Sequence, residues 1–494
     1  MRSSRSWRLV VEAFPLLILC IGCGPASTAS PTAKPATTAS TAAAVASVEP
    51  DVPVAQPEPI AEPVDSPSAV IEPVAPQPVF RPDDPREPQD DAQLAELGIR
   101  VYESRRLKLY TDIDSDAART LPGYVDQLYD ALEAYFGPLP PDRNGTDFQM
   151  TGYLLKDERL FREAGLIPLD LPPINHGRHR ANEFWMREQL YDYYRRHLLF
   201  HEVTHCFMTF VPDTQTPVWY LEGMAEHFGT HRIQADGRLS FGVMPTSPDE
   251  AAGWGRVTLI REAFADGHPR TLADVFALQP ADFLMNDAYG WSWSACHFLA
   301  THPRYRERFE QLGRDGRGPR FIRRLTELFE PDGRDLATEW ALYVVNLQYG
   351  YDCGRAAIDF QRGSTLTAET PARTVMIEPT RGWQSTQVLL EQGQEYTITA
   401  TGEITLADEP KPWVSGPRGI SIRYAEGHPL GQLLACLRAE EATAAETMLR
   451  ILPIGEGRTF AAPITGTLYL RINDSWSELA DNRGEFSVTI TRAD

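Results

Sequence analysis

Lysine is nearly absent: the 494-residue chain holds only Lys34, Lys108, Lys156 and Lys411, so arginine carries almost all of the positive charge. With 68 acidic against 47 basic residues, the formal net charge is −21. That balance argues against nucleic acid as a general partner and suits a soluble exported protein. Cysteine is also scarce. Beyond the first residues only Cys206, Cys296, Cys353 and Cys436 remain. They are widely spaced and form no CxxC pair, so neither a disulfide scaffold nor a cysteine metal site is indicated. Long apolar runs are missing too. The one near the start, "LVVEAFPLLILCIGC", is too short for a comfortable membrane span, and Glu12 interrupts it. There are no internal repeats. The length exceeds what one compact core needs, so two or three domains are expected.

Residues 1–23 read as an export signal: "MRSSRSWR" supplies the positive start and the apolar run follows. The run ends at Gly22-Cys23-Gly24, which resembles a lipoprotein processing site. The resemblance implies lipidation of Cys23 after cleavage, although Cys20 stands where leucine is usual. An ordinary signal peptide with an incidental cysteine is the alternative; the polar tether that follows directly favours the lipoprotein. The expectation is therefore an exported protein, periplasmic or on the cell surface, held to the membrane by an N-terminal lipid. Residues 24–92 are rich in Ala, Pro and Thr, as in "ASTASPTAKPATTASTAAA". Such a segment cannot bury a core and reads as a disordered tether stiffened by proline.

Ordered pattern starts near Leu94. "RRLKLYTDID", "DFQMTGYLLKD" and "EFWMREQ" read as strands. "DAARTLPGYVDQLYDALEAYFGP", "YDYYRRHLLFHEVTHCFMTFV" and "TPVWYLEGMAEHFGTH" read as helices, and four more helical patterns follow. After roughly residue 365 the pattern turns into short alternating strands such as "EYTITATGEI" and "EFSVTITR". The predicted fold class is multidomain: an α+β domain over 93–365, then an all-β sandwich over 366–494 that folds alone.

The chemistry concentrates in "HEVTH". His201 and His205 are four apart on a predicted helix, so both imidazoles share a face and can reach one ion. Glu202 projects beside that ion, where it can take a proton from water. Two buried, satisfied histidines would be the plain structural alternative. The next helix weakens that alternative, because Glu222 supplies the third ligand that a catalytic zinc needs. Glu226, one turn on, is placed to accept the outer N–H of a metal-bound histidine.

"HEVTH" followed by "WYLEGMAEHFG" resembles the gluzincin metallopeptidases, the group of thermolysin and aminopeptidase N. The resemblance spans roughly residues 95–360, and only these two helices are specific. It implies a zincin-like domain, zinc on His201, His205 and Glu222, Glu202 as general base and Glu226 as supporting carboxylate. It also implies a downstream oxyanion donor, for which Tyr289 is the best match, with His227, His231 and His297 as alternatives. The aminopeptidase Gly-x-Met-Glu-Asn strand has no counterpart in "GRHRANEFWMREQL". Capture of a free amine, and with it exopeptidase action, is therefore not implied, and an internal peptide bond or a cell-wall or other envelope peptide is a candidate substrate.

The C-terminal stretch "NDSWSELADNRG" resembles a bacterial galactose-binding calcium lectin family. The resemblance implies calcium on Asp474, Asp481 and Asn482, with Glu478 giving a backbone carbonyl. An Asx-rich turn is the metal-free alternative. Glycan is a further partner class, although "WVSGPRGIS" lacks that family's sugar-contacting His and Gln. The expected function is zinc-dependent peptide hydrolysis at the cell envelope. The alternative is a catalytically inactive or carbohydrate-binding protein acting through its C-terminal domain.

Overall fold

A computed structural model describes residues 79–84, 86–209, 216–315, 318–440 and 447–493. The leader, Cys23 and the tether up to residue 78 lie outside the described residues. Packing starts ahead of Leu94: Arg81 is buried against Asp142 at 3.5 Å, and Asp84 accepts from Asn182 at 3.4 Å.

The first part of the chain forms a five-stranded sheet. Its strands are β1 (Arg100–Glu103), β2 (Leu107–Thr111), β3 (Met150–Leu155), β4 (Gly177–Arg180) and β5 (Glu183–Arg187), in the order β1-β2-β3-β5-β4. The β2–β3 and β3–β5 pairs are parallel, and the outer pairs are antiparallel. Every residue of central β3 is buried, as a parallel strand covered on both faces requires. One cover is the helix Leu121–Phe136, whose Leu121, Val125, Leu128, Leu132 and Phe136 recur at helical spacing and are buried. The other predicted strands and helices are found with small shifts of boundary, except that the first predicted helix is divided into Ser115–Ala118 and Leu121–Phe136; β1, β4 and the helix Arg306–Asp315 are among the additional elements.

Two buried helices carry the motifs. Asp192–Thr209 runs under β4 and β5 and is buried from His197 to Phe207. Val218–Gly229 starts directly after Pro217 and is buried from Trp219 to Gly229. It crosses the helix Asn286–Thr301 at very short range. A Cβ on Gly223 would lie 2.5 Å from both Cys296 Sγ and Ser292 O. Only glycine lets the two backbones meet there, and that meeting brings Tyr289 towards the first motif.

Beyond residue 365 the chain is built of antiparallel strands. One four-stranded sheet has the order Gly457–Ala461, Glu395–Thr401, Phe486–Arg492, Ala372–Ile377; another has Leu452–Pro453, Leu433–Ala439, Gly466–Ile472, Gln384–Leu390. The two sheets share a core that includes Ile398, Ala435, Leu437, Leu468 and Val488. The second sheet has a further role. Leu433–Leu437 and Gly466–Ile472 are buried without alternation, so both faces are covered. Leu433 and Leu470 face the inter-sheet core, whereas Leu434, Cys436 and Tyr469 join the core of the helical region. Phe80–Asp494 accordingly pack as one compact unit, and apolar contact runs through the boundary expected at 365/366. Arg438 bridges it as well, pairing with Asp335 at 2.5 Å and lying 3.8 Å over the Phe360 ring.

Candidate metal centre

The two motif helices bring three ligand atoms to one point. His201 Nε2 and His205 Nε2 are 3.0 Å apart, and Glu222 Oε2 lies 3.3 and 3.1 Å from them. All three side chains are buried. Tetrahedral zinc with ligands at 2.0–2.1 Å would separate its donors by about 3.4 Å, so this donor set and spacing fit the ion. Glu222 is fully enclosed, which alone would raise its pKa, yet His205 and His201 hold it far below the usual carboxylate range. A carboxylate kept ionised between two imidazoles is the electrostatic setting of a cation site.

Glu226 stands behind His201. Its Oε1 is 3.5 Å from His201 Nδ1, on the ring edge away from Glu222. Three further groups fix it. Arg256 donates from Nε to Oε2 at 3.1 Å and from Nη2 to Oε1 at 3.0 Å, Trp254 Nε1 donates at 3.2 Å, and His197 Nε2 lies at 3.2 Å. Burial by itself would raise the Glu226 pKa, but Arg256 and His197 keep the group well below its ordinary value. His197, His201 and Glu226 form a second set of close ligand atoms. Because Arg256 already neutralises Glu226, that set reads as support for the first. Arg256 and Trp254 were not legible from spacing: Arg256 opens the helix Arg256–Ala265 and Trp254 lies in the turn before it, some way down the chain from Glu226.

Glu202 is buried beside His201 and His205 and faces β4. His179 of β4 stacks on His205, with 4.7 Å between ring centroids, and its Nδ1 is 3.8 Å from Glu202 Oε2. Sequence reasoning missed His179; its only signal was a histidine two residues after a glycine, just upstream of a predicted strand.

Tyr289 is buried, with its ring 6.3 Å from that of His201 and 5.0 Å from that of Phe283. His227 and His297 pack on each other at 5.5 Å. His231 donates from Nδ1 to Gly229 O at 2.8 Å and accepts from Arg196 at 3.1 Å through Nε2.

In the C-terminal loop, Asp474 and Asn482 come together and are buried, with Asn482 Nδ2 2.9 Å from Asp474 Oδ2. Asp481 is exposed. Arg423 pairs with Glu478 and lies 3.8 Å from Asp474 Oδ1. Burial pushes the Asp474 carboxyl up to about 6. The loop is seated on the helical region: the Gln348 amide is 2.9 Å from Ser475 Oγ, and Tyr351 stacks on Trp476 at 5.8 Å. Arg471 of the strand Gly466–Ile472 also lies 3.9 Å over the Trp476 ring. Among the described residues, groups of three His, Cys, Asp or Glu side chains at metal-binding distance occur only around His201.

No protein-family model and no curated protein matches the chain. Among solved structures, it is similar to the EclA N-terminal domain, a PllA-like lectin, at 25% identity over 24% of this chain and 96% of that one, with a TM-score of 0.20. It is also similar to Aeromonas hydrophila PliG, a periplasmic lysozyme inhibitor of g-type lysozyme, at 10% identity over 28% of this chain and 100% of that one, with a TM-score of 0.16. Both likenesses are slight, and the reading of the site rests on its own geometry.

Proposed function

We propose that this chain is a zinc-dependent peptide hydrolase of gluzincin type. The observation that carries the reading is the triangle of His201 Nε2, His205 Nε2 and Glu222 Oε2, with sides of 3.0, 3.1 and 3.3 Å, and Glu202 beside it. Zinc held there supplies a Lewis acid that acidifies water and polarises a carbonyl.

The side chains divide the remaining tasks. Glu202 takes the proton from the attacking water and passes it to the leaving amine. Tyr289 donates a hydrogen bond to the oxygen that becomes negative as the carbonyl carbon turns tetrahedral. Glu226, held by Arg256, orients His201 and raises its basicity. The buried walls keep bulk water out and strengthen each of these interactions. β4 is an edge strand next to Glu202, and a sheet edge offers unpaired backbone groups to an extended peptide. That supports a peptide over a sugar as substrate. The C-terminal strands form a β-sandwich in this reading. Its calcium-type loop, covered by Gln348 and Tyr351, serves to join the two parts. Export and a lipid anchor on Cys23 rest on the sequence pattern.

The test is a proteome-derived peptide library digested by the zinc-loaded chain from about residue 79 onward. The expected result is cleavage by the wild type, about one zinc per chain, and no cleavage by Glu202→Gln. A protein that binds no zinc after dialysis, or a Glu202→Gln variant that cleaves as well as the wild type, would defeat the reading.

A further inference from the structure

Glu202 rests against β4, and two residues of that strand meet it. Gly177 and His179 are two apart, so they share one face of the strand. A Cβ on Gly177 would overlap Glu202 Oε1. The carboxylate therefore sits directly on strand backbone, and any larger residue would displace it. The other oxygen, Oε2, is buried and accepts no hydrogen bond from the described residues. His179 Nδ1 is aimed at it from 3.8 Å. Stacking on His205, at 17° between planes, holds the plane of the His179 ring.

We propose that Gly177 and His179 are positioning residues for Glu202: the glycine leaves the space the carboxylate occupies, and the His179 Nδ1–H donates to Oε2 and fixes its orientation. The proposal rests on the reading of Glu202 as general base. A general base is effective only when its lone pair points at the proton it takes, and one hydrogen bond to its other oxygen removes rotation about the last side-chain torsion. A purely structural His179 would contribute its stacked ring alone. The donor and the ring can be separated. His179→Phe keeps the ring on His205 and loses the donor. His179→Asn loses the ring and keeps an N–H near the place of Nδ1.

The experiment has two arms, both on the zinc-loaded protein. In the first, the chain carries ¹⁵N-labelled histidine, and the imidazole N–H protons are observed by NMR. A low-field N–H signal should vanish in His179→Phe and move in both Glu202→Gln and Gly177→Ala. Absence of such a signal, or a signal that Glu202→Gln leaves in place, overturns the proposal. In the second arm, kinetics are measured on a peptide the wild type cleaves. His179→Phe and Gly177→Ala should each lower kcat at least about tenfold with KM nearly unchanged and zinc retained, and His179→Asn should recover to within about threefold of wild type. Wild-type kcat in His179→Phe, or equal losses in the Phe and Asn variants, overturns it. If the wild type cleaves no peptide, the hydrolase reading falls, and the NMR arm still decides whether His179 holds Glu202.

Discussion

Arg256 holds Glu226 through two parallel hydrogen bonds, Nε to Oε2 at 3.1 Å and Nη2 to Oε1 at 3.0 Å, with both side chains buried. This pair stands between the fold and the candidate metal centre, because the same carboxylate lies against His201. Arg256→Met should leave Glu226 charged, buried and short of its main partner. The expected cost is about 3–5 kcal/mol of stability, with a roughly 10–100-fold loss of zinc affinity. Thermal melts and zinc competition with a chromogenic chelator measure the two effects separately. Unchanged zinc affinity would confine Arg256 to a structural role.

Tyr289 carries the second prediction. Tyr289→Phe keeps the ring against His201 and Phe283 and removes only the hydroxyl. Loss of one oxyanion donor should lower kcat by roughly 10–1000-fold with little change in KM. Zinc content should stay at the wild-type level. A variant with full kcat would remove Tyr289 from the reaction.

His231 makes the fold sensitive to acid. Burial is the main cause of its low pKa of about 3, and it stays neutral with Nδ1–H on Gly229 O and Nε2 accepting from Arg196. Unfolded, it would titrate near 6.5. The folded value is therefore below the unfolded one, so the unfolded state binds the extra proton as pH falls. The stability tied to neutral His231 is complete above pH 6.5 and is lost as pH falls from there towards 3. By linkage the loss is about 3 kcal/mol between pH 6.5 and 4. Urea melts of the wild type and His231→Gln over that range should differ in slope, the variant being flatter. Parallel curves would show that another group sets the acid limit.

The fourth prediction concerns Asp474 and Asn482. Calcium titrated into calcium-free, zinc-loaded protein should raise the melting temperature, since a ligand bound only by the folded state stabilises it. Asp474→Ala with Asn482→Ala should abolish the rise. A melting temperature indifferent to millimolar calcium would leave Arg423, 3.8 Å from Asp474, as the counter-charge the loop relies on.

How much of this was legible depended on the kind of signal. The helices carrying His201, His205 and Glu222 follow from periodicity, and the ligand triangle follows from two helices crossing. β4 was not legible. "GRHR" lies on a sheet edge, where charged side chains are tolerated and the alternation of a half-buried strand is lost. Its histidine went unnoticed with it. Arg256 and Trp254 were hidden for another reason: a partner supplied across a loop obeys no spacing rule. The C-terminal strands were legible from alternation, and two of them also carry the mark of their packing against the helical region. "LLACL" is apolar on both faces, and in "LYLRI" Leu468, Leu470 and Ile472 face one core while Tyr469 turns to the other, so each strand needs a cover on both sides.

That second cover has a consequence for the order in which the protein is made. Leu434, Cys436 and Tyr469 wall in the helical core from the far end of the chain. A chain synthesised from its N-terminus presents His201, Glu222 and Tyr289 long before that wall arrives. The helical core therefore closes only once the final strands are in place. A message cut short near residue 365 would yield a chain that carries His201, His205 and Glu222 but leaves the helical core open where Leu434, Cys436 and Tyr469 belong.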